Sequence, residues 1–159
     1  MRPELLLPAA AQAGAGVRCV VLDTNIVLDL FLFADPAVAA LRTLLQARRL
    51  NWVAAQPMRD ELERVLQYAH LQPRMQHYGV SAPGVLAAFD AGTRLVEPAV
   101  RAPYACKDAD DQKFIDLAVG HRAILVSKDK AVLCMRKRLL TQDVQVATAI
   151  VFEETAAPV

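Results

Sequence analysis

The side chains of this chain with the most chemistry to offer are acids, and two of them stand beyond the ends of apolar runs. Asp23 follows Val20-Val21-Leu22 directly, and Asp129 lies three residues past Val126. Such runs read as strands buried on both faces of a parallel sheet, and ligands of open α/β sheets bind outside the carboxyl edge. Either aspartate alone reads as a helix N-cap, a position Asp favours. Two at one edge point to a site. A third group, Asp108-Ala109-Asp110-Asp111, sets three acids in four positions. Asp108 suits the positive end of a helix dipole. Asp111 does not, because Asp111, Phe114, Ile115 and Ala118 share the i, i+3, i+4, i+7 face. A charge on a packed stripe needs a partner or a metal. Asp110 and Asp116 turn outward. Glu61 lies on the shoulder of the Met58–Ala69 stripe, where periodicity leaves it an ordinary surface acid.

Carboxylates that converge cannot all ionise unless their pKa values rise or a cation sits among them. Oxygen donors without His or Cys suit Mg²⁺ or Mn²⁺. His70, His77 and His121 have no shared spacing that would suit zinc. Hard divalent ions retain waters and bind phosphates, activate a water and stabilise the leaving oxygen of an in-line displacement. Metal-dependent phosphodiester hydrolysis is the reaction class that follows.

The elements that must position these acids alternate between short apolar strands and amphipathic helices. Strands are predicted at Arg18–Leu22, Asn51–Ala54, Thr93–Val96, Ala123–Val126 and Val144–Val146. Helices are predicted from Asp35-Pro36 to Arg48, from Pro57 to about His70, near Val85–Ala91 and from Asp108 to Gly120. Gln72-Pro73 reads as a link, residues 97–107 as a loop of functional length, and Thr148 as the cap of a final helical turn. This alternation implies a parallel sheet covered on both faces. At 159 residues the chain reads as one domain over 17–155, with residues 1–16 a loosely ordered extension. That leader is too short, and too broken by Pro3, Glu4 and Pro8, for a signal peptide. The apolar stretch Ile26–Ala34 is interrupted by Asp29, so no membrane span is expected. The three cysteines, Cys19, Cys106 and Cys134, form no CxxC pair and fit a reducing cytoplasm. Lys+Arg 18 against Asp+Glu 17 gives a net charge of +1, so polyanion binding would need a local patch.

Four segments together carry a resemblance. Val21-Leu-Asp-Thr-Asn25, Asp60-Glu-Leu-Glu63, Asp108-Ala-Asp-Asp-Gln-Lys-Phe114 and Val126-Ser-Lys-Asp129 resemble, in this order, the motifs of the PIN domain. The likeness spans about residues 17–152 and is nearest to the bacterial branch described as toxin components of toxin–antitoxin pairs. It implies a Rossmann-like three-layer α/β/α sandwich, with a mainly parallel central sheet of about five strands, and Mg²⁺- or Mn²⁺-dependent endoribonuclease activity. It carries the catalytic and metal-binding roles to Asp23, Glu61, Asp111 and Asp129, with Asp108 a fifth metal ligand. Thr24, Asn25 and Ser127 match positions that orient the acids or a metal-bound water. The resemblance thus promotes Glu61, which periodicity had left on the surface. Lys128 and Lys130, which flank Asp129, depart from the pattern.

For RNA phosphates the candidates are Lys113, Lys128 and the basic run Arg136-Lys137-Arg138, each also readable as a solvated helix face. A cognate antitoxin or a second copy of the chain could dock on the apolar helices around Ala37–Leu45 and Leu62–Ala69, unless those stripes face the core. Two rival functions stand beside the nuclease. One is a non-catalytic module of the same fold that binds an antitoxin. The other is an aspartate-phosphorylating phosphohydrolase, which would want an acid two residues after Asp23, where this chain has Asn25.

Overall fold

The computed structural model of the protein describes residues 4–7, 17–33 and 35–152. Among the described residues seven strands form: β1 Glu4–Leu7, β2 Arg18–Leu22, β3 Leu50–Ala54, β4 Arg94–Leu95, β5 Ile124–Val126, β6 Gln145–Ala147 and β7 Ala149–Phe152. Five of them make one sheet in the order β4-β3-β2-β5-β6, and every pairing in it is parallel. The chain therefore starts at the centre with β2, moves outward to β4, crosses back to β5 and moves outward again. Neighbours β2 and β5 leave the centre in opposite directions, which makes their carboxyl ends the switch point of the sheet. Val20, Val21, Ile124 and Leu125 are fully buried, as the apolar content of these two strands requires.

The helices are α1 Thr24–Leu28, α2 Ala39–Gln46, α3 Gln56–Val65, α4 Gln72–Tyr78, α5 Ala82–Gly92, α6 Gln112–His121, α7 Lys130–Leu133 and α8 Arg136–Leu140. A π-helical turn, Asp29–Phe33, prolongs α1, and a 3₁₀ turn, Ala109–Asp111, precedes α6. Right-handed crossovers put the helices of the outward and return halves on opposite faces, giving the layered α/β/α arrangement. Helix α6 packs on β2 and β5, α2 on β3 and α8 on β6. Its stripe, Phe114, Ile115, Leu117 and Ala118, is buried, and Trp52 is caught between Phe31 and Phe89. Met58 and Met75 are core residues. So are Val38, Leu41, Leu44, Leu62 and Leu66, so the stripes of α2 and α3 serve this chain's own core.

Within the leader, Glu4–Leu7 is a strand paired in parallel with β7; the other leader residues, and 153–155 of the proposed domain, lie outside the described residues. Four local readings are corrected. The segment after Thr148 is β7, not a helical turn. Ala149-Ile-Val-Phe is a β-branched run that finds a partner far away in sequence, in β1. The helix begun at Gln56 stops at Val65 rather than His70. Gln72-Pro73 then opens α4 instead of linking helices, since proline at the first turn forfeits an N–H that has no intrahelical acceptor. Helix α6 passes through Gly120 and ends on Arg122, in the left-handed conformation at φ 48°. Among the described residues no single helix is long and apolar enough to cross a membrane.

Candidate active site

The site is built at the switch point. Asp23 ends β2, with its own N–H donating to the Val126 carbonyl at 3.0 Å. It also caps α1, because its Oδ1 accepts the Thr24 N–H at 2.7 Å. Its Oδ2 accepts the Ser127 hydroxyl at 2.6 Å. Ser127, fully buried, also accepts the Asp129 N–H at 3.1 Å, so one hydroxyl aligns the acids that follow two adjacent strands. Asp129 in turn caps α7, with Oδ1 accepting the Ala131 N–H at 2.9 Å. Capping and site membership are thus compatible for both.

Asp111 closes the 3₁₀ turn ahead of α6, makes no side-chain cap hydrogen bond and is 6% exposed. The α6 stripe carries it into the site. Asp23, Asp111 and Asp129 each offer an oxygen within 4.8 Å of the others. Burial, a hydrogen bond with Asp129 and the charges of Asp23 and Asp129 push the Asp111 carboxyl up to about 8. The same hydrogen bond holds Asp129 below the usual carboxylate range. The hydrogen bond between the two carboxyls thus favours the protonated form of Asp111 and the ionised form of Asp129. Burial also raises Asp23, against the hydrogen bonds from Ser127 and Thr24. Asp111 Oδ2 is buried with no hydrogen-bond partner, as is Asn25 Oδ1. Buried polar atoms are seldom left so.

Glu61, on α3, joins the rim of this cluster. Its Oε2 accepts the Thr24 hydroxyl, and its Oε1 pairs with Lys113 Nζ at 3.0 Å. Thr24 therefore binds Asp23 through its backbone and Glu61 through its side chain. Asp108 is exposed and spends its Oδ1 on the Asp110 N–H at 2.9 Å; it is outside the group of three. Lys128 pairs with Asp29. Arg136, Lys137 and Arg138 are exposed on α8, and no described hydrogen bond or ion pair joins them to the acids. Asp29 is the acid that sequence reasoning passed over. It is 6% exposed, and the signal was available: a lone charge inside the apolar run 26–34 must find a buried counter-charge.

The PIN domain profile matches residues 19–131. The chain belongs to the PIN domain family. Its fold is similar to that in the crystal structure of VapBC2 from Rickettsia felis bound to a DNA fragment from their promoter. That likeness has a TM-score of 0.56 and 13% identity, and covers 81% of this chain and 98% of the other. At this identity it is a likeness of fold. No curated protein matches the chain. In this PIN domain the donor set at the switch point is oxygen only, and it contains one buried carboxylate oxygen with nothing to bind. Both features fit a hard divalent cation.

Proposed function

We propose that this PIN domain is a divalent-metal-dependent endoribonuclease of the toxin type, acting in the cytoplasm and controlled by a protein antitoxin. The observation that carries the reading is the trio Asp23, Asp111 and Asp129, with ligand atoms within 4.8 Å of one another and a buried Asp111 oxygen unused. Asp23, Asp111 and Asp129 would hold Mg²⁺ or Mn²⁺, with Glu61 completing the catalytic carboxylates, while exposed Asp108 would join them only by releasing the Asp110 N–H. A bound ion of this kind supplies an activated water and neutralises charge developing on a phosphodiester.

The chain's own residues do the positioning. Ser127 and the Thr24 N–H fix both oxygens of Asp23, and Ser127 sets the backbone of Asp129. Asp111 holds a proton until the site fills. Thr24 and Lys113 fix the Glu61 carboxylate from two sides, and the Lys113 ammonium stands at the rim where a phosphate would enter. Asn25 Oδ1, buried and unpartnered, is suited to orient a water there. The three free cysteines support a reducing compartment, and VapBC2 as a structural neighbour supports an antitoxin partner.

The test is cleavage of single-stranded RNA with Mn²⁺ or Mg²⁺, with EDTA, and with Asp23→Asn. Cleavage should vanish in EDTA, return with the metal, and fall by about 10³-fold in Asp23→Asn while circular dichroism shows an intact fold. Undiminished cleavage by Asp23→Asn would sink the assignment.

A further inference from the structure

Cys106 precedes Asp111 and Cys134 follows Asp129 in the chain, and the fold brings their thiols together. Cys106 Sγ donates to the Ala131 carbonyl at 3.4 Å, and Cys134 Sγ donates to the same oxygen at 3.2 Å. Two sulfurs sharing one acceptor lie no farther apart than those two distances added. Cys106 sits in the irregular segment between β4 and the turn that ends on Asp111. Cys134 is the residue after α7, the helix capped by Asp129. Both are free; Cys134 is exposed and Cys106 half-buried.

We propose that Cys106 and Cys134 form an oxidation site, a dithiol that a peroxide closes to a disulfide tying the segment before Asp111 to the helix behind Asp129. Closure to about 2.05 Å needs rotation about χ1 at both residues and a shift of the 97–107 segment. No strand ladder resists that shift. Side chains from α6 tether the segment: Gln112 Oε1 accepts the Cys106 N–H, Gln112 Nε2 donates to the Tyr104 carbonyl, and Asp116 accepts the Ala102 N–H. Cys19 is the natural control. It lies on β2, and its sulfur accepts from the Asn51 amide at 3.7 Å.

The chemistry balances in two steps. The exposed Cys134 sulfur, as its thiolate, attacks one peroxide oxygen; the O–O bond breaks, leaving a sulfenic acid and hydroxide, which takes up the thiol's proton as water. The Cys106 sulfur then attacks the Cys134 sulfur, the S–O bond breaks, a second water leaves, and the S–S bond forms. The two thiols lose two protons and two electrons between them, and the peroxide is reduced to two waters.

The experiment treats reduced, metal-free, full-length protein with hydrogen peroxide and reads intact mass and a non-reducing peptide map. It needs no RNA, so its outcome is independent of the nuclease assignment. A loss of two hydrogens, with a crosslinked peptide joining Cys106 and Cys134, is expected in the wild type and in Cys19→Ser. Cys106→Ser and Cys134→Ser should each lack it. The oxidised wild type should melt several degrees higher, and dithiothreitol should reverse the shift. Accumulation of Cys134 sulfinic acid while Cys106 stays open to alkylation would overturn the proposal, and so would a crosslink made through Cys19.

Discussion

Replacing Asp111 with asparagine tests the electrostatics of the site without a substrate. Asn is nearly isosteric with a protonated Asp, so the buried space stays filled while the ionisable group is removed. In the metal-free protein the Asp111 carboxyl is raised from 3.8 to about 8. A group bound to its proton more tightly in the folded state leaves stability whole below 3.8 and erodes it as pH climbs toward 8. At about 1.4 kcal/mol for each pH unit, the ceiling on that loss is about 6 kcal/mol. Asp129, held low by the same proton, offsets part of it, and water reaching the site screens more. An effect of about 2 kcal/mol is the working figure, or about 4–8 °C in Tm for a chain of this size. The assay is thermal unfolding in EDTA at pH 5.5 and pH 8.5. The wild type should lose several degrees more between the two than Asp111→Asn does, and Mn²⁺ should restore the wild type alone. Parallel curves for the two proteins at both pH values, with equal stabilisation by Mn²⁺, would refute the shared-proton account.

Two further substitutions separate structural from substrate-facing cations. Lys128→Met strands the Asp29 carboxylate, whose side chain is 8% exposed. Because Lys128 is itself about a third exposed, the expected cost is about 1–3 kcal/mol, below that of a fully buried pair. Adding Asp29→Asn should recover most of it in urea titrations, and simple additivity of the two costs would dismiss the pairing. Neutralising Arg136, Lys137 and Arg138 together should lower the salt dependence of RNA binding to Asp23→Asn protein by up to about two units of slope. An unchanged slope would take α8 out of the RNA path.

How much of this was legible in the sequence differs from residue to residue. Strands β2 and β5 could be read because nothing but a doubly buried strand explains Val20–Leu22 and Ile124–Val126. Asp23 and Asp129 then took their places from the sheet edge alone. Asp111 could be read because a carboxylate on the Phe114–Ala118 stripe breaks the pattern. Glu61 could not, since what draws it to the rim are Thr24 and Lys113, which are remote in sequence and belong to other elements. The Asp29–Lys128 pair is hidden for the same reason. Strand β7 was lost because an apolar run of four residues has no period, and its partner lies at the far end of the chain.

The acid cluster also shows how this fold tolerates converging carboxylates before any ion arrives. Asp23 receives two hydrogen bonds and Asp129 receives the Ala131 N–H, so one proton on Asp111 is enough to complete the balance. A cation entering the trio would replace that proton without asking the backbone to rearrange, because Ser127 and the two helix caps already fix the geometry. Binding must then compete with protonation. Below pH 8 the affinity for Mn²⁺ should rise about tenfold per pH unit, with close to one proton released per ion, and it should level off above that. Calorimetry in buffers of different ionisation enthalpy measures both quantities at once. An affinity flat from pH 6 to 8, with no proton released, would mean that Asp111 is already ionised and that something other than its proton holds the three acids together.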